Sequence, residues 1–74
     1  MREEDLRLLL QRVPFPLLRL HTTGGEVFDI RDPDAAHLER STVQLLLPSH
    51  HNQQREAVIA LVHVVWVEVI NPPT

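Results

Sequence analysis

The sequence contains no cysteine, lysine or tyrosine, and only two glycines, two phenylalanines and one tryptophan in 74 residues. Each absence narrows the possibilities. Without cysteine there is no disulfide and no thiolate metal site, so two of the usual supports of a small fold are excluded. With no lysine, all seven basic residues are arginine, and the formal net charge is −3. That balance disfavours broad attraction to nucleic acid, which requires a basic face. The longest apolar run, Ala57–Ile70, carries Glu68 and falls short of the ~20 residues a membrane helix needs. Met1-Arg2-Glu3-Glu4-Asp5 lacks the apolar segment of a secretory signal, so the expected compartment is the cytoplasm.

One domain is the most this length allows. A chain this small buries only about 60% of the surface its unfolded form exposes, so its core is marginal. The run Ala57–Ile70 is the apolar mass the remaining chain must cover. It is rich in β-branched residues, which suit a pleated surface better than a helix. Strands average about 5–6 residues, so the run reads as two strands, 56–61 and 65–70, joined by a bend at Val62-His63-Val64.

The remaining elements follow from periodicity and punctuation. Leu6, Leu9, Leu10 and Val13 share one face of a helix over about 2–12, with Glu3, Glu4 and Asp5 in its first turn. Glu3 and Arg7 are spaced for an i, i+4 pair, and Pro14 and Pro16 stop the helix. Alternation around Gly24-Gly25 predicts a hairpin of strands 16–23 and 26–31. Asp32 as N-cap and Pro33 in the first helical position predict a single turn through Leu38. A strand over 41–47 follows, then a polar loop, Pro48–Arg55, that joins the third and fourth strands as a long hairpin, and the Asn71-Pro72-Pro73 stretch ends the last strand.

That order, together with Pro14-Phe15-Pro16, Leu18 and Leu20, Gly24-Gly25 and Leu61-Val62-His63-Val64-Val65, resembles a group of short, uncharacterised bacterial proteins with an Sm-like fold. The resemblance implies a mainly β architecture: an N-terminal helix capping a five-stranded, strongly bent antiparallel small barrel of the Sm-like or SH3-like kind. It also implies assembly into rings, the fourth strand of one subunit pairing with the fifth of the next. Those edges would be 56–61 and 65–70. The Sm-like base-binding pocket does not carry over. Its asparagine-containing loop is matched here by Asp34-Ala35-Ala36-His37-Leu38, and its charged or glycine-containing bend by Leu61-Val62-His63-Val64. The glycine that bends the second strand is missing near Asp29 and Ile30.

An independent argument supports self-association. If Val65, Val67 and Val69 face inward, then Trp66, Glu68 and Ile70 face outward on an edge strand. An exposed tryptophan on an open edge is a liability unless a partner covers it, and tryptophan is enriched at interface hot spots. The candidate oligomer interface is therefore Val58, Ala60, Trp66, Glu68 and Ile70. Five histidines raise the question of metal, but His50 and His51 are adjacent, and neighbours on an extended chain point opposite ways. His63 lies in the apolar bend, where a ring nitrogen tied to a backbone carbonyl or a nearby carboxylate is the usual arrangement, so its expected role is structural. Asp29, Asp32 and Asp34 with Arg31 match no acid/base constellation. The expectation is a non-enzymatic, self-assembling structural or interaction module without metal or cofactor, with an RNA-binding ring as the alternative.

Overall fold

The computed structural model describes residues 1–73. Among them, helix α1 (Glu3–Leu10) precedes six strands: β1 (Leu17–Thr22), β2 (Val27–Ile30), β3 (Ala36–Leu38), β4 (Thr42–His50), β5 (Gln53–Ala60) and β6 (Val64–Ile70). They form two antiparallel three-stranded sheets, ordered β2-β1-β6 and β3-β4-β5. The mainly β character and the N-terminal helix agree with the sequence reading. The strand count and the closure do not: there are six strands rather than five, and no ladder closes the two sheets into a barrel.

The inner faces of the two sheets meet over one core. Leu18 and Leu20 of β1 stand between Ile30 and Phe28 of β2 and Val69 and Val67 of β6. Val43 and Leu45 of β4 stand between Leu38 and Ala36 of β3 and Ile59 and Ala57 of β5. Leu6, Leu18, Leu20, Ile30, Val43, Leu45, Ile59, Leu61 and Val64 are buried, and Leu6 brings α1 onto this cluster. An eight-residue helix would not hold alone in water, so it is this docking that sustains α1. The Glu3–Arg7 pair forms on its exposed side.

Several boundaries differ from the sequence reading for identifiable reasons. α1 stops at Leu10 because Gln11 and Arg12 donate to the carbonyls of Leu8 and Leu9 at 3.2 and 3.3 Å, tightening the last turn. Val13 therefore leaves the helical face and is 94% exposed. The turn after Asp32 is a 3-10 turn of Pro33–Ala35 only. Asp32 Oδ1 caps it by accepting from the Asp34 amide at 2.9 Å, and Ala36–Leu38 then pairs with β4 instead of continuing the helix.

The polar stretch Pro48–Arg55 closes a hairpin as expected, but most of it is strand, and only His51 and Asn52 form the turn. Pro48 and Ser49 fall at an irregularity in the ladder between Leu47 and His50, where a missing amide donor does no harm. His50 then pairs with Gln53 across a two-residue turn, with φ of +52° at His51 and +62° at Asn52. Positive φ at both central residues defines the primed turn that matches the twist of a hairpin. The sequence signal was weak because this turn usually carries glycine. In the β1–β2 hairpin, Gly25 alone takes positive φ, at +86°.

The bend between β5 and β6 is a 3-10 turn, Leu61–His63. Here a second irregularity shifts side-chain parity: His21 pairs with Trp66 but Thr22 pairs with Val64, leaving Val65 as an extra residue. Val64 is buried in consequence, and Val65 is 61% exposed rather than facing inward. Val67 and Val69 pack against the core as the alternation predicts.

Candidate interaction surface

Strands β5 and β6 are the terminal strands of their respective sheets, each pairing on one side only. Their side chains divide by alternation: Ala57 and Ile59 of β5, and Val67 and Val69 of β6, turn to the core. The other faces carry the residues singled out from the sequence. Val58 is 58% exposed and Trp66 is 51% exposed, while Ala60, Glu68 and Ile70 are half-buried. The five residues thus lie on two separate edges, β5 and β6, rather than in one patch.

The outer face of the β2-β1-β6 sheet is more organised than its composition suggested. One cross-strand row reads Asp29–Arg19–Glu68, and the next reads Val27–His21–Trp66. Arg19 donates from Nε to Asp29 Oδ1 at 2.9 Å and from Nη2 to Oδ2 at 3.3 Å. Arg31 Nη2 lies 3.6 Å from the same carboxylate. The hydrogen bonds from Arg19 hold the Asp29 carboxyl below the usual carboxylate range; partial burial opposes this, and the charges of Arg19, Arg31 and His21 add to it. A carboxyl depressed in the folded state adds stability above its unfolded pKa, and that contribution disappears as pH falls through the folded value.

In the second row the His21 and Trp66 rings stack with centroids 3.9 Å apart and planes 5° from parallel. His21 Nε2 lies 3.4 Å from Glu68 Oε1. The His21 ring therefore lies between the Glu68 carboxylate and the indole face of Trp66. The stacked ring covers one face of the indole, so His21→Ala is expected to move the emission maximum of the single tryptophan to longer wavelength by exposing that face to water. An unchanged emission maximum in the variant would show that the His21 ring does not shield Trp66.

A groove of about 870 Å³ borders this face, lined by Arg19, Asp29, Arg31 and Glu68 on one side and Leu46, Leu47 and Pro48 on the other. His63 lies outside this groove, in the turn before β6. Its carbonyl accepts from the Thr23 amide at 2.8 Å, and its Nδ1 lies 3.2 Å from Thr23 Oγ1. The two contacts clamp the β1–β2 turn to the 3-10 turn preceding β6. The partner of His63 is thus a threonine side chain, not the carbonyl or carboxylate that its position suggested.

Asp29, Asp32 and Asp34 serve three separate local roles: Asp29 pairs with arginine, Asp32 caps a turn, and Asp34 supplies the capped amide. No three of the His, Cys, Asp or Glu side chains among the described residues are grouped to hold a metal ion. The His50 and His51 rings do come together, with centroids 4.0 Å apart and planes at 67°. The left-handed backbone at His51 removes the premise that their side chains diverge. No helix of the described residues is long and apolar enough to cross a membrane.

The sequence reading missed the His21–Trp66 stack and the Asp29–Arg19–Glu68 row. Alternation alone put Arg19 and His21 on one face of β1, and Trp66 and Glu68 on one face of β6. The missing information was that β6 lies beside β1, a pairing between residues some 47 positions apart. Compared with known proteins, the chain matches no family model, no curated protein and no solved structure.

Proposed function

We propose that this chain is a cytoplasmic, self-assembling module of the Sm-like kind, structural or interaction-mediating rather than catalytic, whose copies join β6 of one to β5 of the next. The observation that carries the reading is that both strands have an unpaired edge and present apolar side chains beside it, Val58 on β5 and Val65 and Trp66 on β6. Open edges of this kind template pairing with another chain. Joining them would extend the two sheets into one, in the order β2-β1-β6-β5-β4-β3, with no free edge left on either strand. In that arrangement Trp66, Glu68 and Ile70 face the neighbour's Val58 and Ala60.

Size favours the same reading. Folds below about 70–80 residues seldom obtain more than about 3–5 kcal/mol from a single core and commonly add oligomerisation. The Thr23–His63 contact acts as a clamp in this reading. The RNA-binding alternative has one observation in its favour, the half-exposed ring of Trp66, on which a base could stack. Single-strand binders stack successive bases on several such rings along a positively charged groove. Here the ring is the sole tryptophan, and the net charge is −3.

Sedimentation at micromolar concentration is expected to show a species well above the 8.5 kDa of one chain. A clean monomer at that concentration would remove the proposal. An oligomer that carries nucleic acid through purification, read as excess absorbance at 260 nm, would turn the assignment to the alternative.

A further inference from the structure

The tip of the β4–β5 hairpin carries two imidazoles that the fold has brought to one side. On an extended strand adjacent side chains diverge, but here the chain reverses at His51 and Asn52 with φ of +52° and +62°. Residues other than glycine adopt this conformation seldom, histidine and asparagine being among those that do. The result is a ring-to-ring separation of 4.0 Å between His50 and His51. Both side chains are exposed. The other three histidines already have protein partners: His21 contacts Glu68, His37 contacts Glu39, and His63 contacts Thr23.

We propose that His50 and His51 form a two-imidazole chelate for a divalent transition ion, with water completing the coordination. Neutral imidazole is the commonest protein ligand for such ions. Metal–nitrogen bonds are about 2.0–2.1 Å, so two nitrogens sharing one ion lie within about 4 Å of each other. The ring centroids are already 4.0 Å apart, a separation comparable to the span of such a chelate. With no carboxylate or thiolate grouped beside them, the pair suits imidazole-favouring ions and not Mg²⁺ or Ca²⁺, which require oxygen ligands. Among the former, Cu²⁺ is held more firmly than Ni²⁺ or Zn²⁺.

The test is calorimetric titration of the untagged full chain with Cu²⁺ in a weakly coordinating buffer. One ion per chain is expected, with no heat from Mg²⁺. His50→Ala and His51→Ala should each weaken binding at least about tenfold, because the second ligand acts at high effective concentration; His37→Ala should leave it unchanged. The double variant His51→Ala, Asn52→His keeps five histidines but moves one imidazole along the turn, and it should bind like the single-alanine variants. Circular dichroism will show that these exposed substitutions leave the fold intact. Equal affinity in His50→Ala and wild type would overturn the chelate. Wild-type affinity in the displaced-histidine variant would overturn the role of the turn.

Discussion

Leu20→Ala is expected to leave this protein unfolded in ordinary buffer. Leu20 is fully buried at the centre of β1, with Phe28 on one side and Val67 on the other. It therefore touches both neighbours in its sheet and faces the second sheet across the core. Removing a buried leucine side chain costs about 2–5 kcal/mol, the transfer energy of the lost atoms plus the cavity they leave. A domain of this size holds only about 3–5 kcal/mol in total, so one such substitution removes most or all of the margin. Arg19, the next residue along, gives the control. Its side chain lies on the outer face, and Arg19→Gln should leave the chain folded. Chemical denaturation monitored by far-ultraviolet circular dichroism checks both. A cooperative Leu20→Ala transition with a midpoint near that of wild type would show that the two sheets do not depend on this contact.

The second large effect concerns the open edges. Replacing Val58 and Trp66 together by glutamate is expected to abolish assembly while leaving the fold of each copy in place. Val58 and Trp66 are 58% and 51% exposed, so the substitutions cost the single chain little. Across a β5–β6 junction they would bring negative charge onto both strands beside Glu56 and Glu68, and like charges on facing strands are destabilising. The readout is the melting temperature as a function of concentration. Partners that bind only the folded state stabilise it by mass action, so wild type should melt on the order of 5 °C higher when its concentration rises tenfold. The double variant should sediment as a single chain and melt at one temperature throughout. If wild type itself shows no concentration dependence, the open edges are not joined in solution.

The two predictions act on different layers of the same strands. Alternation sends Ile59, Val67 and Val69 to the core and leaves Val58 and Trp66 outside. The inner residues set whether a copy folds; the outer ones set what it meets. Trp66 belongs to both layers in part, because one face of its ring is covered by His21 within its own chain. That stack fixes the indole in one orientation before any partner arrives, which lowers the side-chain entropy lost on association.

The hairpin tip shows why some of this was not legible. His51 and Asn52 carry no glycine, and Pro48 interrupts the pattern, so the stretch reads as a polar loop. The register of β4 on β5 continues regardless through Leu47↔Arg55, because the inner residues Val43 and Leu45 are anchored against Ile59 and Ala57. Once those anchors hold, the chain closes at His50↔Gln53, and the turn takes one of the primed conformations that a two-residue connection favours. Tertiary packing decided a local geometry for which local propensity gave no sign.

Local sequence was enough to determine the helix and the apolar centres of five of the strands, though not the short strand Ala36–Leu38. The β-branched run from Val58 to Ile70, the alternating leucines of β1 and the proline stop after α1 each act within a few residues, where side-chain sterics and periodicity dominate. It also determined that Trp66 lies outside, since alternation from Val67 and Val69 runs back to it without interruption. Only the tertiary structure decided that Val65 lies outside as well, because the extra residue there shows itself only when Thr22 pairs with Val64. It alone placed Glu68 beside Arg19 and Trp66 on His21, and it alone divided the strands into two sheets with β5 and β6 left at their edges. Those outcomes rest on pairings between distant residues, whose energies depend on the whole core being assembled and leave no mark on any short stretch of sequence.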